Sequence, residues 1–170
     1  MINAYISQDT IVSASSDAFT LQEKSSFGEK KGNKIQYAAI EALYLSEEGK
    51  MQLQIGKKVL NSLEVLKKIK KWDKKSETKL AVYQDLRKRG YIIKTALKFG
   101  AEFRVYDKGI KPGQDHARWI LYTAKEHELL KWHDFAAKNR VAHATKKNLL
   151  LAIVDDEGDV SYYEVSWLRP

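Results

Sequence analysis

The sequence predicts an α/β protein, mixed in the α+β sense, with two domains: a small mixed N-terminal domain over 1–76 and, over 77–170, a domain whose mixed central sheet is flanked by helices. Three features point there. Apolar residues recur at helical spacing in some stretches and at every second position in others, and the two patterns follow one another along the chain. Glycines stand where patterned stretches end, at Gly49, Gly90 and Gly100, as suits the exit from a helix or a tight turn. The run 72–78, Trp-Asp-Lys-Lys-Ser-Glu-Thr, is short and polar, a link between domains rather than a flexible tether.

In order, residues 1–30 carry short apolar runs (4–6, 10–12 and 18–21) separated by polar breaks, which read as two or three short strands. Residues 28–33 are a loop, and 35–48 a helix with Ile35, Ala38, Ala42 and Leu45 on one face. The run 51–55 alternates as a half-buried strand does. Asn61 and Glu64 then form a capping box, opening a helix that buries Leu66, Ile69 and Trp72. A helix over 78–89, with Val82 and Leu86 one turn apart, closes at Gly90. Two strands follow it. In the second, Phe103 and Val105 take one face while Glu102, Arg104 and Tyr106 take the other. Residues 107–115, with Gly109, Pro112 and Gly113, are an exposed loop ending at His116. After a strand at 117–122, Thr123 and Glu126 suggest a capping box for a helix to 137, which includes His127 and His133. Strands at 140–144, 149–154 and 160–167 complete the sheet, the last two joined by the acidic turn 155–159.

Composition narrows the classes of function. A formal net charge of +8 and a sequence pI near 9.4 favour a polyanionic partner, with nucleic acid the first candidate and a solvated lysine surface the plainer one. The absence of cysteine excludes thiolate nucleophiles and disulfides, and points to a cytoplasmic protein. No apolar run approaches the roughly 20 residues that span a bilayer, so no membrane partner is expected. Histidines 116, 127, 133 and 143 include no His-x3-His pair, and no carboxylates cluster at ligand spacing; neither metal nor cofactor is expected.

The segment Tyr83-Gln-Asp-Leu-Arg-Lys-Arg-Gly-Tyr-Ile-Ile-Lys-Thr-Ala-Leu-Lys-Phe-Gly-Ala-Glu-Phe-Arg-Val-Tyr106 resembles the C-terminal domain of the archaeal tRNA-splicing endonucleases, or tRNA-intron lyases. So do Arg140-Val-Ala-His-Ala-Thr-Lys-Lys147 and the run from Leu149 through Asp155-Asp-Glu-Gly-Asp159 to Tyr163. The likeness covers roughly the last ninety residues and is weak over the first seventy. It implies a nuclease-like C-terminal domain that excises introns from precursor tRNA, cutting both splice sites of a bulge-helix-bulge motif. The implied ends are a 2′,3′-cyclic phosphate and a 5′-hydroxyl.

Such chemistry needs a base for the ribose 2′-OH, an acid for the leaving 5′-oxygen and a cation for the charge developing on phosphorus. By resemblance Tyr106 is the base, His116 the acid and Lys147 the stabilising cation. Singly, each has a plainer role: a ring covering a sheet edge, a solvated loop histidine, one of thirty cations. The resemblance also implies that Arg140, with Tyr162 or Tyr163 as the aromatic side, clamps an extruded base by stacking. Lys94, Lys98 and Arg104 could contact phosphates, but the sequence does not single them out. Asp155, Asp156, Glu157 and Asp159 imply a turn that docks on an opposing subunit of a homotetramer, or on a paralogous subunit; a solvated hairpin turn is the alternative. Val165 and Trp167 suit a dimer interface beside it. Two other functions stay open: a non-catalytic RNA-binding or structural subunit, and a metal-dependent nuclease. The latter lacks the lysine of an Asp/Glu-x-Lys step, because Arg104 follows Glu102-Phe103.

Overall fold

β1 (Ile2–Ser7) buries Ile2, Ala4 and Ile6 and exposes the residues between them, the pattern of a strand with one face on a core. In this computed structural model, which describes all residues from Met1 to Pro170, β1 is central to the sheet of the first of two units, Met1–Leu80. It pairs antiparallel with β2 (Thr10–Ser13) and parallel with β5 (Met51–Ile55). β3 (Glu29–Lys31) and β4 (Lys34–Tyr37) extend one edge of that sheet, and β6 (Lys58–Val59) the other.

Three expectations for this unit are corrected. Residues 18–21, expected as strand, lie in α1 (Ser16–Ser25), where the Ser15 hydroxyl caps the Ala18 amide. The inward residues Ala18, Leu21, Gln22 and Ser25 follow helical spacing, which the polar Gln22 and Ser25 hid. The loop expected at 28–33 is a hairpin turning on Gly32 and Asn33, and Ile35 belongs to its second strand. Ile35 and Tyr37 share a buried face two residues apart, so the helix α2 (Ala39–Glu47) begins only after them. The buried Glu41 carboxylate accepts from the amides of Ala38 and Gly28, tying the helix start to that turn. α3 (Ser62–Trp72) opens on the expected reciprocal cap: the Glu64 amide donates to Asn61 Oδ1 and the Asn61 amide to Glu64 Oε2. Its buried stripe is Val65 and Ile69, with Leu66 and Trp72 half-buried.

α4 (Ser76–Lys88) starts within the stretch expected as a link and carries the division between the units, at Leu80 and Ala81. The second unit is one five-stranded sheet in the order β11-β10-β9-β8-β7. β7 (Ile92–Ala96) runs through a single 3-10 turn, Leu97–Phe99, into β8 (Ala101–Tyr106). β9 (Trp119–Lys125) follows the exposed loop, and β10 (Asn148–Val154) and β11 (Val160–Val165) form the closing hairpin.

Between β9 and β10 the chain departs from expectation. The helix expected at 123–137 and the strand at 140–144 are replaced by one helix, α5 (Trp132–Ala144). The spacing of Thr123 and Glu126 imitates a cap, but both amides are already taken, that of Thr123 by the Glu102 carboxylate of β8 and that of Glu126 by the Val154 carbonyl, where the β9–β10 ladder ends with Lys125 opposite Val154. His127 therefore lies in a turn, and His133 in the first turn of α5. Strand alternation then assigns the faces. Phe103 stacks tilted against Tyr83 of α4, with ring centroids 5.9 Å apart. Ile120, Tyr122 and Leu149 form a core with Ala142 and Phe135 of α5 on the opposite face.

Candidate active site

Sheet topology alone brings three loop ends together. β8 and β9 are antiparallel, so the end of β8 lies beside the start of β9; β9 and β10 are parallel, so their starts lie side by side. Two backbone hydrogen bonds pin this edge, from the Arg118 amide to the Val105 carbonyl at 2.9 Å and from the Asn148 amide to the Arg118 carbonyl at 3.1 Å. Tyr106 ends β8, His116 precedes β9 and Lys147 precedes β10. All three line one cleft of about 370 Å3, together with Phe99, Arg104, Ala117 and the loop residues 113–115.

Each side chain arrives by a different local device. Tyr106 is buried, 4% exposed, and shares its face of β8 with Arg104 and Glu102 by alternation. His116 is exposed at the end of a loop, and its amide donates to Asp115 Oδ1 at 2.6 Å. Lys147 is set by the exit of α5. The Lys146 amide donates to the His143 carbonyl and the Lys147 amide to the Ala142 carbonyl, a Schellman arrangement with Lys146 in the left-handed conformation at φ 56°. This turns the chain directly from helix into β10. The Lys147 ammonium donates to the Thr145 carbonyl at 2.9 Å and stands 5.7 Å from the centre of the Phe99 ring. Burial, and then the neighbouring Arg104 charge, hold its pKa below the ordinary lysine value.

The other expected residues lie elsewhere in the second unit. Arg140 is exposed on α5, and His143 stacks against Trp167 at 4.5 Å; neither lines the cleft. Tyr162 is opposite Ala152 in the hairpin register, and its hydroxyl donates to Asp85 of α4 at 2.7 Å. That contact and burial raise its pKa, burial contributing more. Strand parity therefore puts Tyr162 on the α4 face, opposite to the face of Arg104 and Tyr106, so this chain's own Tyr162 is not part of the cleft. Tyr163 takes the α5 face and is 58% exposed. The acidic turn is ordered by Asp155, whose Oδ1 accepts from the Glu157 and Asp159 amides at 2.9 Å each, while Asp156, Glu157 and Asp159 are exposed.

Arg104 and Phe99 are the cleft residues that sequence reasoning did not single out. Arg104 was legible by its two-residue offset from Tyr106, which puts both on one strand face. Phe99 gave no such signal, because the 3-10 turn that carries it has no periodic pattern.

The model of the tRNA intron endonuclease catalytic C-terminal domain matches residues 76–162, and that of the N-terminal domain matches residues 2–66. The chain belongs to the tRNA intron endonuclease family. It is 40% identical over 169 residues to the tRNA-splicing endonuclease of Pyrococcus horikoshii, spanning 99% of this chain and 97% of that one. To the tRNA-splicing endonuclease of Methanothermobacter thermautotrophicus it is 39% identical over 159 residues, spanning 94% and 92%. To that of Nanoarchaeum equitans it is 42% identical over 137 residues, spanning 77% and 88%. Every residue lining the cleft falls within the stretch matched as the family's catalytic domain.

Proposed function

We propose that the chain excises introns from precursor tRNA by metal-independent transesterification at both splice sites of a bulge-helix-bulge motif. The observation that carries this reading is the meeting of Tyr106, His116 and Lys147 in one cleft. Tyr106, as its phenolate, takes the proton from the ribose 2′-OH next to the scissile bond, and the 2′-oxygen attacks phosphorus. The bond from phosphorus to the 5′-oxygen breaks as His116 donates its proton to that oxygen. The Lys147 ammonium offsets the negative charge of the phosphorane between the two steps. The products are a 2′,3′-cyclic phosphate and a 5′-hydroxyl, with atoms and charge balanced and no cofactor used. Unpaired bulge nucleotides allow the in-line alignment of 2′-oxygen and leaving oxygen that a continuous duplex resists, which favours recognition by shape.

Incubating the purified chain with a bulged precursor tRNA in excess chelator tests this reading. Cleavage at both boundaries with cyclic phosphate ends is the expected result. Cleavage that requires added magnesium would overturn the metal-free mechanism, and no cleavage without a second protein would favour the non-catalytic subunit.

We further propose that the acidic turn joins copies of the chain, or the chain and a paralogous subunit, into a tetramer. The support is local: Asp155 rigidifies the turn and leaves the neighbouring carboxylates presented to solvent. Arg140, exposed on α5, is proposed to stack on an extruded base. Replacing Asp156→Lys and Glu157→Lys together is expected to shift the native mass from tetramer toward dimer on a sizing column; an unchanged mass rejects the docking role.

A further inference from the structure

Arg104 stands out for what it lacks. Its Nε is buried and has no hydrogen-bond partner, although a guanidinium N–H removed from water is costly to leave unpaired. Glu102, the carboxylate on the same face of β8, accepts from the Thr123 amide at 2.9 Å. Lys94 is the register partner of Arg104 on β7 and is only 6% exposed. Directly opposed like charges weaken a strand pair. The Arg104 charge also acts on Lys147, holding its pKa down. An unpartnered guanidinium N–H beside the Lys147 ammonium makes sense if an anion enters the cleft that Arg104 and Lys147 both line.

We infer that Arg104 is a substrate-binding residue that contacts the scissile phosphate, its guanidinium donating to a non-bridging oxygen while Lys147 meets the same group from the β10 side. The inference rests on the cleavage reading above and adds to it a second cation at the reacting phosphate. Its placement is suitable: Arg104 lies two residues before Tyr106 on one strand face, about 7 Å along β8, so one nucleotide can meet both. Arginine suits the position because it stays charged and presents its donors in a rigid fork that matches phosphate oxygens.

The test combines protein and substrate changes. Affinity is measured for a bulged RNA made uncleavable by a 2′-deoxy sugar at the splice site, with either a normal phosphate or a neutral methylphosphonate at the scissile linkage. Arg104→Gln and Arg104→Met are compared with wild type, the second keeping the aliphatic stem so that folding is preserved if the first disturbs it. With the normal phosphate each variant is expected to lose on the order of 10- to 100-fold in affinity. With the methylphosphonate that loss should largely vanish, whereas a methylphosphonate two linkages away should leave it intact. Equal losses on both substrates mean that Arg104 acts through the fold, and the assignment falls. A parallel assay separates this from the parent reading: if wild type cleaves, His116→Ala does not, and the Arg104 losses are equal, only the Arg104 assignment is overturned. If wild type neither cleaves nor registers the methylphosphonate, the cleavage reading falls and Arg104 with it.

Discussion

His116→Ala is expected to slow single-turnover cleavage of a bulged precursor by about 10^2- to 10^4-fold, the range for loss of a positioned proton donor. RNA affinity should change little. The two effects separate cleanly at this position. His116 is exposed, follows a loop and is held through its backbone amide on Asp115, so removing the imidazole takes nothing from the core. An exposed substitution of this kind shifts stability by about 0.5 kcal/mol or less. Loss of cleavage with an unchanged melting temperature and unchanged binding therefore isolates the chemistry. A variant within about threefold of the wild-type rate removes His116 from the mechanism and leaves the leaving oxygen without its assigned acid.

Lys147→Met is expected to cost about 10^2- to 10^3-fold in the same assay, the usual scale for removing one group that stabilises developing charge. Methionine keeps an aliphatic stem of similar length and removes only the ammonium that stands over the Phe99 ring, so the loss reads the charge. The pH profile supplies a second signature. Burial and the Arg104 charge hold the Lys147 pKa below that of an ordinary lysine. The required form is the protonated one, so Lys147 begins to lose its charge at a lower pH than a solvated lysine would. The test is made in a His116→Ala background, where the proton donor and its own titration are absent. There the alkaline fall in the residual rate should vanish on adding Lys147→Met; a fall that persists in the double variant assigns it to another group.

Local pattern made much of this fold legible. The Asn61–Glu64 box names its helix because both partners lie within one turn, and the energetics of a cap need nothing further away. The alternation at 101–106 and the glycines at 90 and 100 gave the strands around Tyr106 for the same reason. The failures are equally instructive. At 123–126 a cap spacing was present, but a parallel ladder with β10, a strand more than twenty residues away, claimed the backbone first. At 140–144 a short apolar stretch fitted strand and helix alike, and packing of Ala142 and Phe135 on the sheet decided for helix. Ile35 fitted two periods at once, and pairing with β2 and β3 chose the strand.

By itself the sequence determined a mixed two-part chain and a basic charge, because composition and short-range periodicity are properties of neighbouring residues; Tyr106, His116 and Lys147 were singled out by the family resemblance, not by their spacing. Only the tertiary structure decided that Tyr106, His116 and Lys147 share a cleft, that Tyr162 turns to the other face, and that Arg104 stands beside them with a buried donor unpaired. Those outcomes depend on strand order, direction and parity. They are set by pairing between segments far apart in the chain, where no local preference reaches.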